Sequence, residues 1–182
     1  MISERAVAIF GSSRTEPGSV PWQEAERAGA RFARTGLTVV TGGYGGSMEA
    51  ASKGAAGEGG RVVGVTAGGL FRSRTGANPH VTHEIAAQSI TDRIGILTEI
   101  ARGALVLPGS IGTTAELVIA WNINDIARRH GGNRFPTAAV GEEWRDFRSL
   151  VSGRLGAEPS DIQVMDNVDQ ALDWLLDQPE LG

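Results

Sequence analysis

Short apolar runs rich in β-branched residues alternate along this chain with stretches of helical periodicity, and that alternation constrains its fold more than any other feature. Strands buried on both faces read as near-continuous apolar runs, and consecutive parallel strands need a crossover helix between them. Strands are read at residues 6–10, 37–41, 61–66, 104–107 and 137–140, with 81–87 extended and Val164 in a short last strand. Helices are read over residues 20–34, 47–56, 91–101, 114–129, 142–155 and 168–177. Ser19 and Gly36 bracket the first helix as its N-cap and its closing C′ residue. The pattern predicts an α/β fold: a Rossmann-like, doubly wound, mainly parallel sheet flanked by helices. No repeat, low-complexity tract or linker interrupts the 182 residues, so a single nucleotide-binding domain over 1–182 is expected.

Charge and composition narrow the partners. A net charge of −4 argues against a broad nucleic-acid footprint or a polybasic membrane patch, but leaves room for a small anion at a local positive site. The N-terminal apolar run is too short for a signal segment, and no stretch approaches a membrane span of roughly 18 residues. A soluble cytoplasmic protein is the expectation, and the lack of cysteine fits a reducing compartment while removing thiolate catalysis and thiolate metal sites. Glycine, at 26 residues, is about twice its usual share of roughly 7%.

The glycines are concentrated where chemistry is expected. Gly11-Ser12-Ser13 follows the first strand, Gly42-Gly43-Tyr44-Gly45-Gly46 the second, and Pro108-Gly109-Ser110-Ile111-Gly112-Thr113 the fourth of the clear strands. Ligands of an open parallel sheet bind outside the carboxyl ends of its strands. Glycine there lets backbone approach a ligand, and the free amides of a following helix favour an anion, so a phosphate is the natural guest. The same glycines could simply close tight strand-to-helix turns. Neither GxxxxGK[ST] nor GxGxxG is present, which argues against a P-loop NTPase and a standard dinucleotide site.

The segments Gly11-Ser12-Ser13, Thr41-Gly42-Gly43-Tyr44-Gly45-Gly46-Ser47-Met48-Glu49-Ala50 and Pro108-Gly109-Ser110-Ile111-Gly112-Thr113-Thr114-Ala115-Glu116 resemble the LOG (Lonely Guy) family. The last looks like that family's PGGxGTxxE motif and the second like its GGGxxGLM motif. The resemblance runs from about Ala6 to Val140. It implies a Rossmann-like homodimer or higher homo-oligomer that hydrolyses a nucleoside 5′-monophosphate, AMP or a cytokinin ribotide, to free base and ribose 5-phosphate. It implies Arg93 and Glu116 as the catalytic pair, Met48 and Glu49 beside the glycines of the second turn, and no metal or organic cofactor. A carboxylate can stabilise an oxocarbenium-like sugar or orient water, and an arginine can grip a ribose phosphate. Ser110 stands where the family has a second glycine, and Ile94 where many members have lysine. Molybdenum-cofactor carrier proteins are similar in the same loops and make a non-catalytic nucleotide or cofactor carrier the alternative. Relatives labelled lysine decarboxylase are a poor guide: pyridoxal-phosphate chemistry needs a lysine, and the sole one here is Lys53, inside a helical stretch.

Several residues have plainer readings. Thr113-x-x-Glu116 is also a capping box, in which the glutamate would cap its own helix. Arg93 could be a surface arginine, and Met48 a core residue. Arg72 and Arg74, in the long 67–80 loop, could close over a phosphate or lie solvated. His80-x-x-His83 reads as extended chain and not as a metal pair. Trp121, Trp144 and Trp174 read as core or interface.

Overall fold

The computed structural model describes residues 5–68 and 76–182, which form one seven-stranded sheet, every pairing parallel, in the order β4-β3-β2-β1-β5-β6-β7. The strands are β1 (Ala6–Phe10), β2 (Thr38–Thr41), β3 (Val62–Thr66), β4 (His83–Ala86), β5 (Ala104–Val106), β6 (Thr137–Val140) and β7 (Gln163–Met165). The helices are α1 (Val20–Arg34), α2 (Ser47–Gly57), α3 (Ile90–Ile100), α4 (Ile111–His130), α5 (Glu142–Leu155) and α6 (Val168–Leu176). The expected doubly wound α/β fold is therefore present.

The period-two alternation of β1 divides the core. Val7 and Ile9 face α1, α2 and α6, where Phe32, Ala51 and Leu172 pack; Ala8 and Phe10 face α3, α4 and α5, where Leu97, Leu117, Trp121 and Trp144 pack. Trp121 and Trp144 are core residues as expected, and Trp174 packs partly buried against the first cluster. Ser19 accepts the Trp22 N–H at 3.4 Å as the N-cap of α1, and Gly36 adopts φ +82° just past its end.

Two expectations need correction. Segment 81–87 contains a paired strand, β4, so the turn at Pro108 follows the fifth strand and not the fourth. Helix α4 begins at Ile111, three residues before the expected start, because Ser110 is its N-cap. Thr113 and Glu116 thus lie inside the helix, and Glu116 cannot close a capping box with Thr113. Elsewhere strand and helix ends differ from the reading by one or two residues.

Candidate functional site

Neighbouring strands β1 and β5 send their crossovers in opposite directions, so a crevice opens between their carboxyl ends. The turns after β1, β2 and β5 meet there, but they are not equally open. The Ser12 carbonyl accepts the Ser47 N–H at 2.9 Å, and Thr15 and Ser47 share a 2.7 Å hydroxyl hydrogen bond. Ser12 Oγ accepts the Arg14 N–H at 3.0 Å. The first amide of α2 is thereby taken by the chain itself. Gly46 allows this clamp: its φ is +69°, and a Cβ there would stand 2.3 Å from the Ser12 carbonyl oxygen.

The β5 turn remains open. Ser110 caps α4 without a side-chain hydrogen bond, its carbonyl accepts the Thr114 N–H at 2.9 Å, and Gly109 through Gly112 are exposed. The first amides of any α-helix have no intrahelical acceptor and carry the positive end of its dipole. Here they open on the crevice.

Arg93 is set by its own helix start. Ser89 accepts the Asp92 N–H at 3.0 Å and Asp92 accepts the Gln88 N–H at 2.7 Å, which fixes the first turn of α3 and turns Arg93 inward. The side chain is buried, at 7% exposure. Its Nε donates to the Val65 carbonyl at 2.8 Å and its Nη2 to the Gly42 carbonyl at 2.9 Å. Tyr44 lies beside the guanidinium, its ring centre 5.6 Å from Cζ. This approach requires glycine at 42, since a Cβ there would stand 1.7 Å from Nη2 and 2.6 Å from the Met48 sulfur.

Glu116 Oε1 lies 3.5 Å from Arg93 Nη1, each side chain about 9% exposed. Burial pushes the Glu116 carboxyl up to about 7, against the pull of Arg93. Near neutral pH both forms are present, so the group can donate a proton in one and stabilise a cation in the other.

A cleft of about 150 Å³ collects these groups. Gly11 and Ser13 line it from the first turn, Tyr44 and Met48 from the second, Ile90 and Arg93 from α3, and Ser110, Gly112, Thr113 and Glu116 from α4. Gly42, Gly43 and Gly46 are buried behind it, and Gly45 and Glu49 are half-buried off its wall. Ser12, Pro108 and Gly109 border a neighbouring hollow of about 340 Å³, with Arg14, Glu16 and Glu143. Tyr44 and Ile90 are the lining residues that sequence reasoning missed; a lone tyrosine set among glycines was the available signal for the first. A hollow of about 390 Å³ near Arg102 and Phe135 sits at the amino ends of β5 and β6, away from every glycine turn.

The remaining candidates lie elsewhere. Lys53 pairs with Glu26 at 2.9 Å on the outer side of α2, so the crevice holds no lysine for a Schiff base. His80 sits half-buried in a turn, and His83 opens β4 and is exposed. Among the described residues no group of three or more His, Cys, Asp or Glu is placed to hold a metal, and no helix is long and apolar enough to cross a membrane. Arg72 and Arg74 lie outside the described residues.

This parallel sheet, with its crevice at the β1/β5 switch point, defines a Rossmann-like protein of the LOG-like superfamily. Residues 4–127 match the SLOG cluster4 family, and the chain belongs to that family. No curated protein sequence matches it significantly. Among solved structures it is similar to the molybdenum cofactor binding protein of the phototrophic bacterium Rippkaea orientalis, at 16% identity over 96% of this chain and 97% of that one, with a TM-score of 0.74. It is also similar to the molybdenum cofactor carrier protein of Chlamydomonas reinhardtii (20% identity, 95% and 96% covered, TM-score 0.69) and to the protein TM1055 (20%, 94% and 98%, 0.69). At these identities the likeness is one of fold.

Proposed function

We propose that the protein binds the phosphate end of a small nucleotide-like or pterin-like molecule and hands that molecule on intact. The open amino end of α4, at the switch point beside the unbonded Ser110 side chain, carries the proposal. The phosphate sits against the first amides of α4 and the Ser110 hydroxyl, and Tyr44 offers a ring face to the rest of the ligand. The cleft is too small to enclose a whole nucleotide, which suits a site that grips one end and releases it. The carrier proteins of similar fold motivate the pterin option. A phosphorylated molybdenum cofactor would here be cargo. Its phosphate fits the open helix end, whereas a chain without cysteine offers its metal no thiolate.

One observation favours a second reading, hydrolysis of a nucleoside 5′-monophosphate. Glu116 faces the cleft beside Arg93 with a carboxyl that titrates near neutrality. In that reading water attacks the sugar C1′ as the N-glycosidic bond breaks and its electron pair leaves with the base. Glu116 stabilises the cationic sugar and takes the proton of the water.

Incubation of the protein with AMP, GMP and a phosphorylated pterin, with chromatography of everything recovered, separates the two. Saturable binding with the ligand returned unchanged supports the carrier. Free base accumulating with time, and stopping in Glu116→Gln, makes the protein the hydrolase. Binding of none of them discards the phosphate site.

A further inference from the structure

The hollow of about 390 Å³ at the amino ends of β5 and β6 lies at the opposite end of the sheet from the crevice. Its size falls within the range of about 300–1,000 Å³ common among small-molecule sites. The floor is apolar: Ala101 and Phe135 are buried there and Ile123 of α4 is half-buried. The rim carries both signs of charge. Glu99 stands at the end of α3, Arg102 before β5, Arg134 before β6, and Glu180 in the closing turn Pro179–Leu181.

The segments that bear this rim are braced. Buried Asn124 accepts the Phe135 N–H at 2.8 Å and donates to the Phe135 carbonyl at 2.8 Å, which pins the loop carrying Asn133 and Arg134. The Arg102 N–H donates to the Ala6 carbonyl at 2.8 Å. Leu181 is buried, and its carbonyl accepts the Arg5 guanidinium through Nη2 at 3.2 Å and Nε at 3.4 Å, which sets Glu180 beside the hollow.

Elsewhere on the surface opposite charges close on each other: Arg27 on Asp169, Lys53 on Glu26, Arg128 on Asp161, Arg145 on Asp166. Around this hollow they do not. Among the described residues Glu99, Arg134 and Glu180 enter no ion pair. One carboxyl oxygen of Glu180, Oε2, is buried and accepts no hydrogen bond. A carboxylate desolvated in that way is costly, and a guest cation against it would offset the cost. The carbonyl end of α3, the negative end of its dipole, borders the hollow at Thr98 and Glu99. Arg134 and the Asn133 amide offer donors to an anion. A guest carrying both signs answers such a rim, whereas a guest of single charge is repelled by half of it.

We propose that this hollow is a second ligand site, for a free α-amino acid with an apolar side chain. The carboxylate meets Arg134 and Asn133, the ammonium meets Glu180 and the end of α3, and the side chain lies on Phe135 and Ile123. The site does not depend on what the crevice binds. Calorimetry with leucine and phenylalanine tests it, and at least one should bind saturably with a Kd below about 1 mM. Analogues that lack one charge should bind at least about tenfold more weakly. Isocaproate and isoamylamine serve for leucine, hydrocinnamate and phenethylamine for phenylalanine. Arg134→Ala and Glu180→Gln should each weaken the amino acid about tenfold. Arg134 is exposed, so its loss leaves the fold intact, as thermal melting checks. In amide spectra of the wild type, the amino acid should move the signals of Ala101, Arg102 and Phe135 and leave those of Ser110 to Thr113 in place. No binding of either amino acid at about 10 mM overturns the proposal. So does a single-charge analogue that binds as tightly, unchanged affinity in Arg134→Ala or in Glu180→Gln, or a response centred on the crevice.

Discussion

Gly42 and Glu116 show how much of the site is decided by single atoms. Gly42 leaves room for the guanidinium of Arg93, whose Nη2 would stand 1.7 Å from an added Cβ. That end of Arg93 cannot swing away without leaving two buried carbonyls unpaired. Gly42→Ala should therefore cost about 1–3 kcal/mol, seen as a fall in Tm of several degrees. A variant as stable as the wild type would mean that the arginine moves freely. Glu116 gives a prediction with a sign. Its carboxyl titrates near 7 when folded and near 4.5 when free, so the folded state binds the extra proton between those values. The contribution of this group to stability is complete below about pH 4.5 and is lost as pH rises through about 7. Relative to the wild type, Glu116→Gln should gain stability steadily from pH 5 to pH 7. Urea midpoints of the two proteins across that range check it, and an opposite trend would remove the case for a buried, reluctant carboxylate.

At the scale of elements, Asn78 fastens the segment before β4 to the second glycine turn. Its Nδ2 donates to the Gly43 and Tyr44 carbonyls at 3.2 and 3.1 Å, its N–H to Gly43 at 2.7 Å, and its Oδ1 accepts the His80 N–H. Asn78→Ala should destabilise by about 1–3 kcal/mol through loss of its side-chain hydrogen bonds to the Gly43 and Tyr44 carbonyls and the His80 N–H, although its own N–H still reaches Gly43. Asn78→Asp should be at least as harmful, since a carboxylate would face two carbonyl oxygens; an innocuous Asp variant would sink this account. Such ties explain where sequence reading succeeded. The βα alternation was visible because burial on both faces writes apolar runs directly into the chain, and the caps at Ser19 and Gly36 are local. The start of α4 was misjudged because Ile111 and Gly112 are weak helix formers, and only the turn after β5 makes Ser110 a cap. That Gly46 and Ser12 hold each other, leaving only the third turn open, depends on contacts 30 residues or more apart along the chain, which no periodicity records.

Across the whole molecule the sheet has a protected middle and two edges. All residues of β1, β2, β3, β5 and β6 are buried, whereas three of the four in β4 are exposed and those of β7 are only partly covered. Hydrogen exchange should run slowest in β1 and β5, at the switch point, and fastest in β4 and β7. Amides of β4 as slow as those of β1 would show that something covers that edge in solution. Slow exchange at the base of the crevice would keep the open end of α4 aimed whether or not a ligand is present. Arg93, which ties the exits of β2 and β3 together before it meets Glu116, belongs to this frame as much as to any reaction. Shortening it would loosen the mouth of the crevice and remove a charge in one stroke, so an inactive Arg93→Ala protein would be a poor witness to catalysis. Glu116 fastens no strand, and a chemist seeking the reactive group should cut there.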